Sequence, residues 1–192
     1  MTELFLSLLF INNFSVSLEN QTDTLKTTFE GISAEHLELV IGLPVIDGET
    51  SNTEKVNYTG YYSYVIQDNN KVKHGNFKFE YQNGEKSAVD QINVKYNYNV
   101  TYTGTFNNGV LQGAFTEKAL ESDGVDIYNQ WSTTLIMTNG VCSSAVFKGN
   151  LGHIMPKSTY KFENLELCTF RQVFELAEKK WEKEYTVNKS RY

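Results

Sequence analysis

Catalysis and metal binding need groups that hold protons, electron pairs or cations, so the histidines, cysteines and carboxylates come first. The three histidines, His36, His74 and His153, have no metal-ligand spacing. Glu35-His36-x-Glu38 would place His36 and Glu38 on one face of a strand, close enough to hydrogen-bond, and reads as a solvated pair. Cys142 and His153 could meet across a hairpin in imitation of a Cys–His nucleophile pair, yet no Asn or Asp stands at a recognisable position to orient the histidine. The two cysteines, Cys142 and Cys168, lack CxxC spacing and read as buried thiols, with a single disulfide open if the chain is exported. Glu117, Glu121, Asp123 and Asp126 could hold Ca²⁺, but Ala119-Leu120 and Ser122 break the oxygen rhythm of an EF-type loop, and a solvated loop is expected. GxSxG, P-loop, HExxH and GxGxxG patterns are absent from the sequence. The paired carboxylates of a glycosidase are defined by their separation in space, which a sequence does not carry. The expectation is a protein that is not an enzyme and uses neither cofactor nor metal.

Charge and composition narrow the partners. A formal charge of -6, with no basic cluster ahead of the C-terminal region, opposes nucleic acid, whose phosphates need a basic surface. The same charge disfavours anionic membrane lipid. Tyr, Phe, Thr and Asn are plentiful while prolines number two, a balance that favours strands and turns.

The N-terminus leaves two readings open. Residues 4–11, LFLSLLFI, form an apolar run too short to span a membrane, and Ser15 and Ser17 offer the small-x-small pattern of a signal-peptide cleavage site. Met-Thr-Glu is acidic where a signal peptide carries Lys or Arg, so a buried first strand or short helix competes. Export, periplasmic or secreted, is set ahead of a cytoplasmic location, with 1–17 as the candidate signal peptide and 18–192 as one domain. Sequons at Asn13, Asn20, Asn57, Asn99 and Asn188 arise readily in an Asn- and Thr-rich chain and decide nothing.

The elements follow from periodicity. INVKYNYNVTYTGTF, residues 92–106, alternates almost without error, with Tyr96, Tyr98, Val100, Tyr102 and Phe106 on the apolar side. A strand this long is unusual. It is expected to bend, or to divide in two, near Asn97–Asn99 or Gly104. Phe77, Phe79 and Tyr81 alternate in FKFEY; WSTTLIM reads as a central strand ending at Asn139-Gly140. Leu37, Leu39 and Ile41 suggest a strand that Pro44 ends. In the tail, Phe170, Val173, Phe174, Ala177, Trp181 and Tyr185 fall at i, i+3, i+4 spacing, which predicts a helix over about 169–186. Thr169 with Gln172 makes its capping box, and Glu175–Lys179 and Lys180–Glu184 are i, i+4 pairs on its wet side.

Beneath these elements lies a repeat. NYTGYY (57–62), TYTGTF (101–106) and VFKGNL (146–151) place glycines at 60, 104 and 149. The clearest unit reads Tyr102-x-Gly104-x-Phe106-x-Asn108-Gly109-x-x-x-Gly113-x-Phe115, two strands about an Asn-Gly turn that requires positive φ. Its glycines would let backbones or rings approach closely. This unit resembles the MORN repeat and its bacterial variants; residues 102–115 match well, and the likeness extends over roughly 56–155 with a period near twice the usual one. The resemblance implies an antiparallel meander of hairpins acting as an interaction module.

The expected fold is therefore all-β, a MORN-like antiparallel meander forming a one-sided sheet or partly closed barrel, with a C-terminal α-helix. Its expected role is a non-enzymatic binding or scaffold module presenting a sheet surface to a protein partner, with Tyr96, Tyr98, Tyr102, Phe170, Phe174 and Trp181 as candidate binding residues. The alternative is a barrel, lipocalin-like in architecture alone, enclosing a small apolar ligand among its aromatics.

Overall fold

The computed structural model describes residues 24–44, 57–89, 92–123, 125–152, 155–165 and 169–189, apart from the side chains of 82–89, 92–96 and 187–189. The candidate leader, the sequons at Asn13 and Asn20, His153, Cys168 and the Tyr96 side chain lie outside these described residues.

Strands β1 (Leu25–Ile32), β2 (Tyr58–Gln67), β3 (Asn70–Val89), β4 (Ile92–Asn107), β5 (Val110–Leu111), β6 (Gly113–Ser122), β7 (Ile127–Thr138), β8 (Val141–Leu151) and β9 (Met155–Glu163) build one antiparallel sheet. Its order is β1-β2-β3-β4-β6-β7-β8-β9, with β5 paired to β4. Among the described residues β1 and β9 end this order without meeting, so the sheet is open and encloses no barrel lumen. Helices α1 (Ala34–Ile41) and α2 (Phe170–Lys189) complete the fold.

The long alternating stretch is one strand. β4 keeps register with β3 from Gly75↔Phe106 to Val89↔Ile92 without a shift, so neither Gly104 nor the Asn97–Asn99 region breaks it. Val100, Tyr102 and Phe106 are buried, as the alternation requires. Three hairpins turn on residues with positive φ: Asp68 (49°) and Asn69 (64°), Asn108 (47°) and Gly109 (86°), Asn139 (51°) and Gly140 (79°). Such type I′ geometry matches the right-handed twist of the flanking strands. Successive turns are tied together. Gly109 donates its N–H to the Lys73 carbonyl at 2.8 Å and Gly140 donates to that of Leu111 at 2.9 Å.

The three repeat glycines serve aromatic rings. Gly60 faces Phe79 and Gly104 faces Phe77 across the ladder, while Gly149 lies under the Phe147 ring. A Cβ on Gly104 would stand 2.6 Å from the Phe77 ring, and one on Gly149 2.5 Å from that of Phe147. Both rings are fully buried, so the spacing of the glycines records where rings must pass close to backbone.

Residues 34–41 are helical, which corrects the expected strand. Ser33 Oγ accepts the His36 N–H at 3.2 Å as N-cap, and Gly42 closes the helix at φ 84°. Leu37, Val40 and Ile41 share the buried face at i, i+3, i+4, whereas Leu39, which alternation placed inside, is 80% exposed. The apparent period of two came from reading Leu37, Leu39 and Ile41 without the caps. His36 and Glu38, two apart on a helix, do not share a face; the imidazole instead meets the Phe29 ring edge-on at 5.9 Å. Lys73 reaches up from β3 to donate to the Val40 carbonyl and lies 5.0 Å from the Phe106 ring, fastening the C-terminal end of α1. Burial lowers the Lys73 pKa.

α2 starts with the expected capping box: Gln172 N–H donates to Thr169 Oγ1 at 3.2 Å, and Thr169 N–H to Gln172 Oε1 at 3.0 Å. The helix packs on β7, β8 and β9. Phe170, Val173 and Ala177 are buried; Phe174 and Trp181 are partly so. Glu175 is bridged by Arg171 at 2.8 Å rather than by Lys179, and the Glu184 and Lys180 side chains turn to Tyr160 instead of to each other. Tyr160 Oη donates to Glu184 at 3.1 Å while the Lys180 ammonium sits 5.2 Å from its ring.

Candidate functional site

One row of side chains crosses the helix-bearing face of the sheet: Phe29, Gly60, Phe79, Tyr102, Glu117, Thr133, Phe147 and Tyr160 are successive register partners. Its middle is polar, and that break is the candidate site. Tyr102 Oη donates to Glu117 Oε1 at 3.2 Å, and the Tyr58 hydroxyl is hydrogen-bonded to that of Tyr102. Burial, reinforced by the charges of Tyr81 and Glu117, pushes the Tyr58 phenol up to about 12. Burial first, then the Glu117 charge, holds Tyr102 well above its ordinary value. Both phenols are neutral near pH 7, which suits them to donate hydrogen bonds to a carboxylate and not to act as bases.

Aromatic rings pack around this break. Tyr58 lies 5.5 Å from Tyr81 and 6.1 Å from Tyr102; Tyr81 is 6.4 Å from Tyr98, and Tyr98 6.2 Å from Trp131. Phe170 covers Tyr102 at 5.7 Å and Phe115 at 4.7 Å; Phe174 meets Trp131 and Phe147, each at 5.7 Å. These are the spacings of rings in mutual contact. The arrangement is a packed aromatic layer with a hydrogen-bonded carboxylate set in it.

Of the six candidate binding residues, Tyr98, Tyr102, Phe170 and Phe174 come together here, with Tyr102 and Phe170 buried in the core. Trp181 lies farther along α2, stacked on Tyr185 at 5.2 Å. Tyr58 and Thr133 were missed by sequence reasoning, and Glu117 was read as part of a solvated acidic loop, whereas it stands on β6. Parity offered a signal for one of them, because Glu117 shares its side of β6 with the buried Phe115 and Ala119.

The acidic group divides. Glu117 belongs to this face; Glu121 accepts from Asn129 Nδ2 at 2.5 Å; Asp123 holds the β6–β7 loop by accepting Val125 N–H and Asp126 N–H, each at 2.8 Å. The Tyr128 hydroxyl, followed by these backbone donors, pulls the Asp123 carboxyl down to about 2. Among the described residues no three metal-ligating side chains cluster. Cys142 is disulfide-bonded, which corrects the expected buried thiol there. A sulfur held in a disulfide is not the thiolate that a Cys–His nucleophile needs.

Thr133 gives this site a stability test. Its Oγ1 is buried without a hydrogen-bond partner. A buried unsatisfied hydroxyl costs about 1–3 kcal/mol. Thr133→Val keeps the branched shape and should raise stability by roughly 1 kcal/mol in urea denaturation; a loss of stability would mean that the hydroxyl is satisfied after all.

No family model, curated protein or solved structure matches the chain. Among the described residues no helix is long and apolar enough to cross a membrane. Fold and site together define an open antiparallel β-meander, helices on one face, with an aromatic–carboxylate layer beneath them.

Proposed function

We propose that the chain is a non-enzymatic binding or scaffold module that presents the outer face of its sheet to a protein partner. The observation that carries this reading is the one-sidedness of the sheet: α1 and α2 pack on the aromatic face, and neither packs on the other. Across that outer face run Tyr61, Lys78, Thr103, Thr116, Thr134, Val146 and Lys161 in register. Thr116 and Thr134 hydroxyls bond to each other at 3.0 Å, as do Thr105 and Asn76 side chains, so the surface is ordered before a partner arrives. The partner therefore meets hydroxyls, lysines, Tyr61 and β-branched side chains rather than Tyr98 and Tyr102, which lie on the opposite face. The glycine–ring seats at Gly60, Gly104 and Gly149 support the resemblance to MORN repeats, and with it the role of an interaction module.

A triple variant, Thr103→Glu, Thr116→Glu and Thr134→Glu, tests this in a pull-down from the native host, beside Trp181→Ala/Tyr185→Ala. The triple variant should stay folded by circular dichroism and lose the proteins that the wild type retains, while the helix variant keeps them. The opposite pattern would move the interface to α2 and overturn the reading.

A further inference from the structure

The aromatic layer has a low place in it. Tyr81, Val100, Ala119 and Trp131 are successive register partners, so two large rings stand apart with two small, buried side chains between them. Three inter-strand spacings separate the two ring-bearing backbones, about 14 Å. Tyr98 closes one end of this gap, its ring 6.4 Å from that of Tyr81 and 6.2 Å from that of Trp131, at interplanar angles of 69° and 35°. The other end is closed by the next inward pair along the strands, Tyr102 and Glu117, joined by their phenol–carboxylate hydrogen bond. Tyr81, Tyr98, Trp131 and Glu117 are only partly buried, so the walls of the recess reach solvent while its floor of Val100 and Ala119 does not. We propose that this recess binds a quaternary ammonium ion, held by the rings of Tyr81, Tyr98 and Trp131 and by the charge of Glu117.

The chemistry selects this class of ligand. An aromatic face carries negative potential, and a cation within about 6 Å of a ring centroid is drawn to it, most strongly by Trp. A quaternary ammonium has no N–H to satisfy, so it can rest on an apolar floor where a Lys-type ammonium would leave donors unpaired. It also asks Glu117 for no lone pair: the carboxylate keeps its bond from Tyr102, and nearness to its charge suffices. A divalent metal would need several oxygen ligands, and among the described residues no three metal-ligating side chains cluster. An anion would be repelled by Glu117, whereas the net charge of -6 draws cations toward the chain. The recess lies on the helix-bearing face, opposite the surface proposed for the protein partner, so either reading can fail without the other.

The test titrates choline into the whole chain carrying Trp181→Phe, so that Trp131 alone reports by its emission. Dimethylbutanol, in which carbon replaces the charged nitrogen, is the uncharged control of the same shape. Choline should give a saturable change, and dimethylbutanol should bind at least about tenfold more weakly, since it loses both the ring and the carboxylate attraction. Glu117→Gln, which keeps an acceptor for Tyr102, and Tyr98→Leu, which removes one wall, should each weaken choline by about tenfold with the far-ultraviolet circular dichroism unchanged. No saturable change with choline would overturn the site. Equal binding of choline and dimethylbutanol would make the recess an apolar one and overturn the cation, and this comparison needs no variant of the recess to fold. Full choline affinity in both Glu117→Gln and Tyr98→Leu would place the ion elsewhere and overturn the assignment.

Discussion

Gly60→Ala should be the most damaging single-methyl change in the repeat, with Gly104→Ala next and Gly109→Ala mildest. The order comes from what each new Cβ meets. At Gly60 it would lie 2.1 Å from the Lys78 carbonyl oxygen and 2.7 Å from Phe79 Cα, both backbone atoms of the paired strand. Relief requires β2 and β3 to separate, and a cost of about 3 kcal/mol or more follows, at the upper end of overpacking effects. At Gly104 the obstacle is the far edge of the Phe77 ring at 2.6 Å. A ring edge can yield where a strand does not, but Phe77 is itself wedged by Phe106 at 4.9 Å and Phe115 at 5.6 Å, so roughly 2 kcal/mol is expected. At Gly109 no atom stands within 4 Å of the added carbon. Only the strain of an alanine at positive φ remains, about 1 kcal/mol. At ~2–4 °C per kcal/mol the three melting temperatures should separate by circular dichroism. A Gly109 variant melting lower than the Gly60 variant would show that turn geometry, not ring seating, sets the repeat.

Much of this sheet was legible because burial on one face writes a period of two into the strands, and β4 carries it in its sequence over residues 92–106. The Asn-Gly turns and the Thr169 capping box were legible for a related reason: each depends on side chains a few positions apart, within the reach of local chemistry. α1 was missed because eight residues give scarcely two turns of pattern, and its boundaries rest on Ser33 and Gly42 rather than on periodicity.

The polar break was harder to read. Tyr102, Glu117 and Thr133 come from three strands, and their adjacency is fixed by the register of β4 with β6 and of β6 with β7. Register depends on where the connections end, which short-range patterns do not state. Glu117 was therefore grouped with its sequence neighbours Glu121, Asp123 and Asp126, when its partner is a tyrosine fifteen residues earlier. For the aromatics, alternation located Tyr102 on the inward side of its strand, and the cover supplied by Phe170 is what completes its burial.

Phe170→Ala should cost about 3–5 kcal/mol, the range for truncating a core aromatic, and Trp181→Ala clearly less. Both lie on the same stripe of α2, so helix propensity and stripe position do not separate them; burial does. Phe170 is 4% exposed and its ring contacts Tyr102 and Phe115, so alanine there leaves a cavity under the first turn and uncovers two neighbours at once. Trp181 is only partly buried and stacks on Tyr185, itself 49% exposed, so much of its contact is with a side chain that water already reaches. Domain stability is typically ~5–15 kcal/mol, so the Phe170 variant should lose a large fraction of it. Urea denaturation at equal protein concentration checks this: the midpoint of Phe170→Ala should fall far below that of Trp181→Ala, with similar slopes. Equal losses would place the second half of α2 in the core as firmly as the first. A negligible loss at Phe170 would mean that the sheet keeps its aromatic layer without the helix, and the one-sided architecture would then owe nothing to α2.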